Sequence, residues 1–328
     1  MRELKIFAVV IFFSLLTYYL VEPYAHHEMH KKVDADGNEI VIKSHGFTYD
    51  GADDIAEAER KGDAALVATK KAFWSDVATV SKMTGNAAAG EAVFANCTSC
   101  HNGANINMGG VIVPNLDHAG AIYDKNDLIA IIKDPAMASN VDHKYADTSM
   151  HPMGSIKYTV SDNQQIADVV AYMMEHKAGE VTPKEAFTEA CVRCHAMRYT
   201  NMTQLGDTPK FKHKKDALAH EIKVIEEQDR VKAYMGNLPP DLSMIIRARG
   251  EHFMETFMEN PQSGLPGTSM PRVGLNQEGY DKVKEYLTEA GDPSKKAREE
   301  LGPWVLGFLV FFTILAFLWK KQQWRDLH

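Results

Sequence analysis

Two apolar stretches stand near the ends of this chain. Between them, hydrophobic positions recur at helical rather than strand spacing. From about Asp53 to Lys82 the positions Leu66, Phe73, Val77 and Val80 share one helical face, with Gly62 a weak point before them. A helix is predicted to run from near Gly85 through Ala92, Val93 and Phe94, and another from about Asp127 to Lys133. Ser161 and Gln164 read as a capping box ahead of the stripe Ile166, Val169, Val170 and Met173. Thr182, Pro183 and Glu185 read as N-cap, first helical position and N3 of the next helix. Later helices are predicted through Ile246, Phe253 and Phe257, and through Val283, Tyr286 and Leu287. Asp34-Ala35-Asp36-Gly37 reads as a turn, and the Lys- and Glu-rich segment from Asn201 to Val231 as a solvated helical insertion. The fold class is mainly α.

The terminal stretches have the composition of membrane spans. Ile6 to Val21 follows Arg2 and Lys5; it is short, so a cleaved signal peptide competes with an uncleaved anchor, but no small-x-small cleavage site is evident. Trp304 to Trp319 is entered through Gly302-Pro303 and closed by Lys320, Lys321 and Arg325, with Trp304, Trp319 and Trp324 placed as interfacial aromatics. Positive charge at both chain ends puts both in the cytoplasm and everything between them on the periplasmic side of the inner membrane.

All four cysteines fall in two pentapeptides, Cys97-Thr98-Ser99-Cys100-His101 and Cys191-Val192-Arg193-Cys194-His195. Cys-x-x-Cys-His is the attachment signal for c-type haem: two thiols add to the porphyrin vinyl groups and the next imidazole ligates the iron. A zinc or redox dithiol explains one such motif as well, but not two that leave no thiol over. The His26-His27-Glu28-Met29-His30 cluster lacks the spacing of a zinc protease and reads as a polar interfacial stretch.

Around each pentapeptide the same order recurs: helix, haem motif, proline loop, helix, ligand loop, helix. Pro114-Asn115-Leu116 parallels Pro239-Pro240-Asp241-Leu242, and the carbonyls of Pro114 and Pro239 are the expected acceptors for the ring N–H of His101 and His195. This order is similar to that of class I cytochrome c domains, which implies two in tandem, flanked by N- and C-terminal transmembrane helices. Residues 1–25 are the first anchor, 26–83 a connector that holds the first haem domain either away from or against the rest, 84–180 and 181–292 the two domains, and 293–328 the second anchor. Such domains complete the iron with a methionine from the loop before the last helix. The expected metal ligands are therefore His101 and Met153, and His195 and Met270; Cys97, Cys100, Cys191 and Cys194 hold two covalently bound haem c groups. Met150, and the histidines His118, His143 and His151, compete with Met153. Arg247 and Arg249 are either propionate partners or a solvated face, and the helical methionines Met173, Met174, Met254 and Met258 are core.

The second half resembles cytochrome c1, the haem subunit of the quinol–cytochrome c oxidoreductase (cytochrome bc1 complex). The resemblance rests on the second haem motif, on Pro239-Pro240-Asp241-Leu242-Ser243 with Arg247-Ala248-Arg249-Gly250 after it, on Met270-Pro271, and on the C-terminal span. As a whole the chain is similar to the two-haem cytochrome c1 of ε-proteobacterial complexes, differing from the single-haem form by its extra haem domain, its N-terminal anchor and Gly250-Glu251-His252-Phe253 in place of a double glycine. It implies electron transport in a respiratory chain, from a Rieske iron–sulfur protein to a soluble periplasmic cytochrome c, with cytochrome b as the membrane partner. No catalytic residues of its own are implied. A two-haem subunit of a cbb3-type oxidase or an anchored shuttle fits the tandem domains but not the C-terminal span, and a two-haem peroxidase needs an open iron position. The net charge of −8 argues against nucleic-acid binding and is compatible with docking a basic redox partner. An intact mass of the purified chain is expected to exceed the polypeptide by two haem groups; an excess of one or none would break the pairing of the motifs.

Overall fold

The computed structural model describes residues 2–30, 44–104, 106–107, 109–176 and 179–325. The expected turn at Asp34–Gly37 lies outside them. Among the described residues the protein is helical, with one two-residue hairpin, Met202–Thr203 against Gly206–Asp207.

The N-terminal helix runs unbroken through Arg2–Leu16, a π turn at Thr17–Val21, and Glu22–His30. The C-terminal helix, Lys295–Gln323, starts earlier than expected: Gly302-Pro303 lies inside it rather than at its entrance. Its first turn is fixed from outside by Arg298, whose guanidinium donates to both oxygens of Asp292 at 2.7 Å. Both helices are long and apolar enough to cross a bilayer, and neither buries its apolar face against protein. Lys320 pairs with Glu3, so the start of one lies beside the end of the other.

The first motif lies at the end of helix Ala87–Thr98, capped by Asn86, and this helix crosses Asn163–Glu175. Gly90 makes the crossing possible, since a Cβ there would lie 2.0 Å from the carbonyl oxygen of Asp168. One turn on, the rings of Phe94 and Tyr172 meet at 5.1 Å between centroids. Ile166, Val169, Val170 and Met173 are buried as expected, but the cap is Asp162 rather than Ser161. The Asp162 carboxylate accepts the N–H of Gln165, a stronger bond than a serine hydroxyl one residue further out offers.

The elements around the second motif follow the same order. Thr182 and Glu185 form the expected capping box, and Pro183–Phe187 runs through a π turn, Thr188–Val192, into the motif. Phe187 meets Tyr286 of the helix Gln277–Gly291 at 4.9 Å, the counterpart of Phe94 on Tyr172. The helix expected through Ile246 and Phe257 is two, Ile245–Ala248 and Glu251–Glu259, separated by the extended backbone of Arg249 and Gly250.

The connector lies against the rest. Its predicted helix is also two, Ala52–Arg60 and Ala64–Ser81, parted at Gly62, whose φ of +69° ends the first. Trp74, Val77 and Val80 are buried, while Leu66 and Phe73 lie at the margin of that face. One hydrophobic core runs from Phe47 and Trp74 through Ile129 and Val170 to Leu275 and Leu287. Phe47 stacks on Tyr280, Tyr49 donates its hydroxyl to the carbonyl of Leu275, and Lys70 reaches Asn140 at 2.7 Å.

The insertion is not merely solvated. Its helix, Lys214–Met235, exposes one face but buries Glu227 and Val231. Glu227 accepts from Asn107 at 2.6 Å, and Tyr234 meets Tyr145 hydroxyl to hydroxyl while its ring lies 4.1 Å from Lys144 Nζ. The insertion thus clasps the loops that follow the first motif, contacts between residues far apart in sequence that helical periodicity does not encode.

Gly90→Val is expected to lower stability by about 1–3 kcal/mol, because the helices must separate to admit the side chain. Denaturant titration of the detergent-solubilised chain reads this, and an unchanged midpoint would refute the crossing.

Candidate haem-binding sites

Both pentapeptides close in the same way. His101 N–H donates to Cys97 O at 2.8 Å and His195 N–H to Cys191 O at 2.9 Å, while Cys100 and Cys194 each bond back to the first cysteine's carbonyl at 3.1 Å. The two thiols of each motif are therefore one turn apart with the imidazole just beyond. No disulfide joins any of the four cysteines. Burial pushes the thiols of Cys97 and Cys194 up and that of Cys191 to about 12. Among the described residues no group of three or more His, Cys, Asp or Glu is arranged to hold an ion.

The histidines are oriented alike. His101 Nδ1 lies 2.8 Å from Pro114 O, and His195 Nδ1 lies 2.8 Å from Pro240 O. The acceptor in the second half is thus Pro240, not Pro239. The reason is register: Pro240-Asp241-Leu242 matches Pro114-Asn115-Leu116, and Leu242 N–H donates to Ala196 O, which pins that frame beside the motif. A ring that donates through Nδ1 keeps its lone pair at Nε2 for a metal. Burial lowers both imidazole pKa values, against the pull of the carbonyl bonds, and favours the neutral form a ligand needs. Thiols, imidazole and orienting carbonyl together fit covalent haem at either motif.

Residues 87–177 match the family model for cytochrome c. This stretch is a cytochrome c domain. It contains the first motif and carries the covalent haem c of that family, while the second motif lies beyond it. The chain is also 25% identical over 200 residues to cytochrome c1 of Allochromatium vinosum, covering 43% of this chain and 82% of that one. It is 25% identical over 190 residues to the ammonia monooxygenase gamma subunit of Nitrosomonas europaea, covering 44% and 81%. Among solved structures, a chain of a hyperthermophilic respiratory Complex III matches at 23% identity and a TM-score of 0.35, covering 44% of this chain and 75% of that one. The c1 relationship and the matched domain support an electron-transfer role for the chain.

In the cytochrome c domain, Met153 is half-buried and its N–H donates to His151 Nδ1 at 3.1 Å, whereas Met150 is 66% exposed. Burial takes His151 down to about 4, His143 is exposed, and His118 pairs through Nδ1 with Glu189. Met270 is half-buried in a loop bracketed by Gln262, whose side chain donates to Thr268 O at 2.7 Å and accepts from Gly267 N–H at 2.8 Å. Gln262 carried no sequence signal, because a loop-bracing amide has no spacing rule. Arg249 lies over the Phe253 ring and Arg247 is exposed. Side chains of His26, Met29 and His30 lie outside the described residues.

His118 and Glu189 tie the proline loop of the cytochrome c domain to the helix entering the second motif. Burial alone would lower the His118 pKa; the Glu189 carboxylate, backed by Glu185 and Asp117, outweighs it and holds the imidazole above its ordinary value. Arg193, inside the second motif, acts electrostatically on His101 and Tyr123, so the two motifs lie within reach of each other's charges. Since His118 has a raised folded pKa, its stabilisation is complete below about pH 6.5 and is lost as pH rises through the folded value. Glu189→Gln is expected to remove about 1.5–3 kcal/mol at pH 6 and much less at pH 9, read as denaturation midpoints across that range. Equal losses at both pH values would show that the ion pair is not what binds these segments.

Proposed function

We propose that the chain is a two-haem, membrane-anchored electron carrier that passes electrons from a Rieske iron–sulfur protein to a soluble periplasmic cytochrome c, as a subunit of a quinol–cytochrome c oxidoreductase. The observation that carries this reading is the repeated site: at each pentapeptide, the histidine ring is turned by a proline carbonyl in equivalent register and at the same distance. Cys97, Cys100, Cys191 and Cys194 would form the thioether links, and His101 with Met153 and His195 with Met270 would ligate the two irons. Bound haem supplies one-electron chemistry, and a thioether ligand keeps its potential high.

The remaining residues hold and shield. Pro114 and Pro240 fix the imidazole planes, and Phe94 on Tyr172 and Phe187 on Tyr286 close the two helix crossings. The second haem unit, residues 181–292, is the cytochrome c1-like one and 84–180 the added one. Both chain ends lie in the cytoplasm and the haem units in the periplasm, a reading that the Glu3–Lys320 pair supports. The C-terminal helix favours this assignment over an oxidase subunit anchored only at its N-terminus.

Detergent-solubilised membranes are expected to yield the full chain in one complex with a cytochrome b and a Rieske protein, identified by mass spectrometry with haem quantification. Isolation with an oxygen-reducing haem–copper subunit would overturn the assignment.

A further inference from the structure

Met270 lies between two anchors, Gln262 on one side and Arg272 on the other, with the rigid Pro271 adjoining it. Arg272 is 6% exposed, and among the described residues its hydrogen bonds lead away from the second haem unit. Its backbone N–H donates to Ser139 O at 2.8 Å and its Nη1 to Ala138 O at 3.2 Å, both in the cytochrome c domain. Its guanidinium pairs in bidentate fashion with Asp54 of the connector, which is fully buried and also accepts from Trp74 Nε1 at 3.0 Å. The rings of Tyr49 and Trp74 flank the guanidinium at 5.5 and 5.7 Å.

A buried ion pair is weak evidence for stability, since desolvating both charges offsets most of their attraction. What a planar guanidinium fork does supply is orientation. Leu265, Pro266 and Gly267 of the same loop are exposed, so the loop's position depends on its two ends. We propose that Asp54 and Arg272 are positioning residues that present the Met270 sulfur to the second iron, making the connector a determinant of ligation at that site. The proposal rests on the reading of Met270 as an axial ligand.

The test uses the full chain in detergent and three readouts: haem content, the methionine–iron charge-transfer absorbance of the oxidised protein, and carbon monoxide binding by the reduced protein. Met270→Leu is the reference and is expected to lose about half of the absorbance and to open about one carbon monoxide site per chain. Asp54→Asn is expected to move both readouts the same way with both haems still attached. Should that variant fail to fold, Asp54→Leu combined with Arg272→Met removes both charges, leaves neither stranded, and is expected to give the same loss. Full absorbance and no carbon monoxide site in the folded variants, with the reference halved, overturns the positioning role alone. Full absorbance in Met270→Leu itself overturns the ligand assignment and the proposal with it.

Discussion

The bond from a histidine ring nitrogen to a proline carbonyl organises everything around it. An imidazole beside two cysteines can rotate, and a rotated ring offers a metal nothing. Committing Nδ1 to a carbonyl at 2.8 Å fixes the tautomer and the plane together. That in turn requires the proline loop to be held against the motif: Leu242 bonds to Ala196 in one half, and His118 follows Leu116 closely enough to reach Glu189 in the other. The helices that carry the motifs are held by their crossing partners, at Gly90 and at the aromatic contacts.

Much of this was legible in the sequence because its signals are local. A cap box, an apolar stripe and a Cys-x-x-Cys-His motif each lie within a few residues, and Thr182, Val169 and Cys191 fall where their spacing places them. Beyond the helix breaks at Gly62 and at Arg249–Gly250, the misses were of two kinds. Some were choices between neighbours, Asp162 for Ser161 and Pro240 for Pro239, where the residue types are equally plausible and only the packed geometry selects. The others were long-range: Arg272 to Asp54, Glu227 to Asn107 and Gln262 across its loop join residues whose separation follows no period. A buried arginine beside Pro271 looks no different in sequence from a solvated one.

The connector and the insertion enter the account through those long-range contacts. Read as sequence, the insertion is Lys- and Glu-rich and solvated, and the connector has an apolar helical face without an assigned partner; in the fold each turns one face inward. Trp74 and Val77 join the core that runs between the two motif-bearing halves, and Val231, Glu227 and Tyr234 cover the loops behind the first motif. A helix with a narrow buried stripe gives a weak periodic signal, which is why Lys214–Met235 resembles a free solvated helix.

The junction between Gln277–Gly291 and Lys295–Gln323 has a mechanical consequence. Only residues 292–294 separate the last helix of the globular part from the one long and apolar enough to cross a bilayer, and Arg298 grips Asp292 across that gap. A cytochrome tied by a long slack tether can tumble and reach for its partners. This one is welded to its mast, so its orientation follows that of the helix.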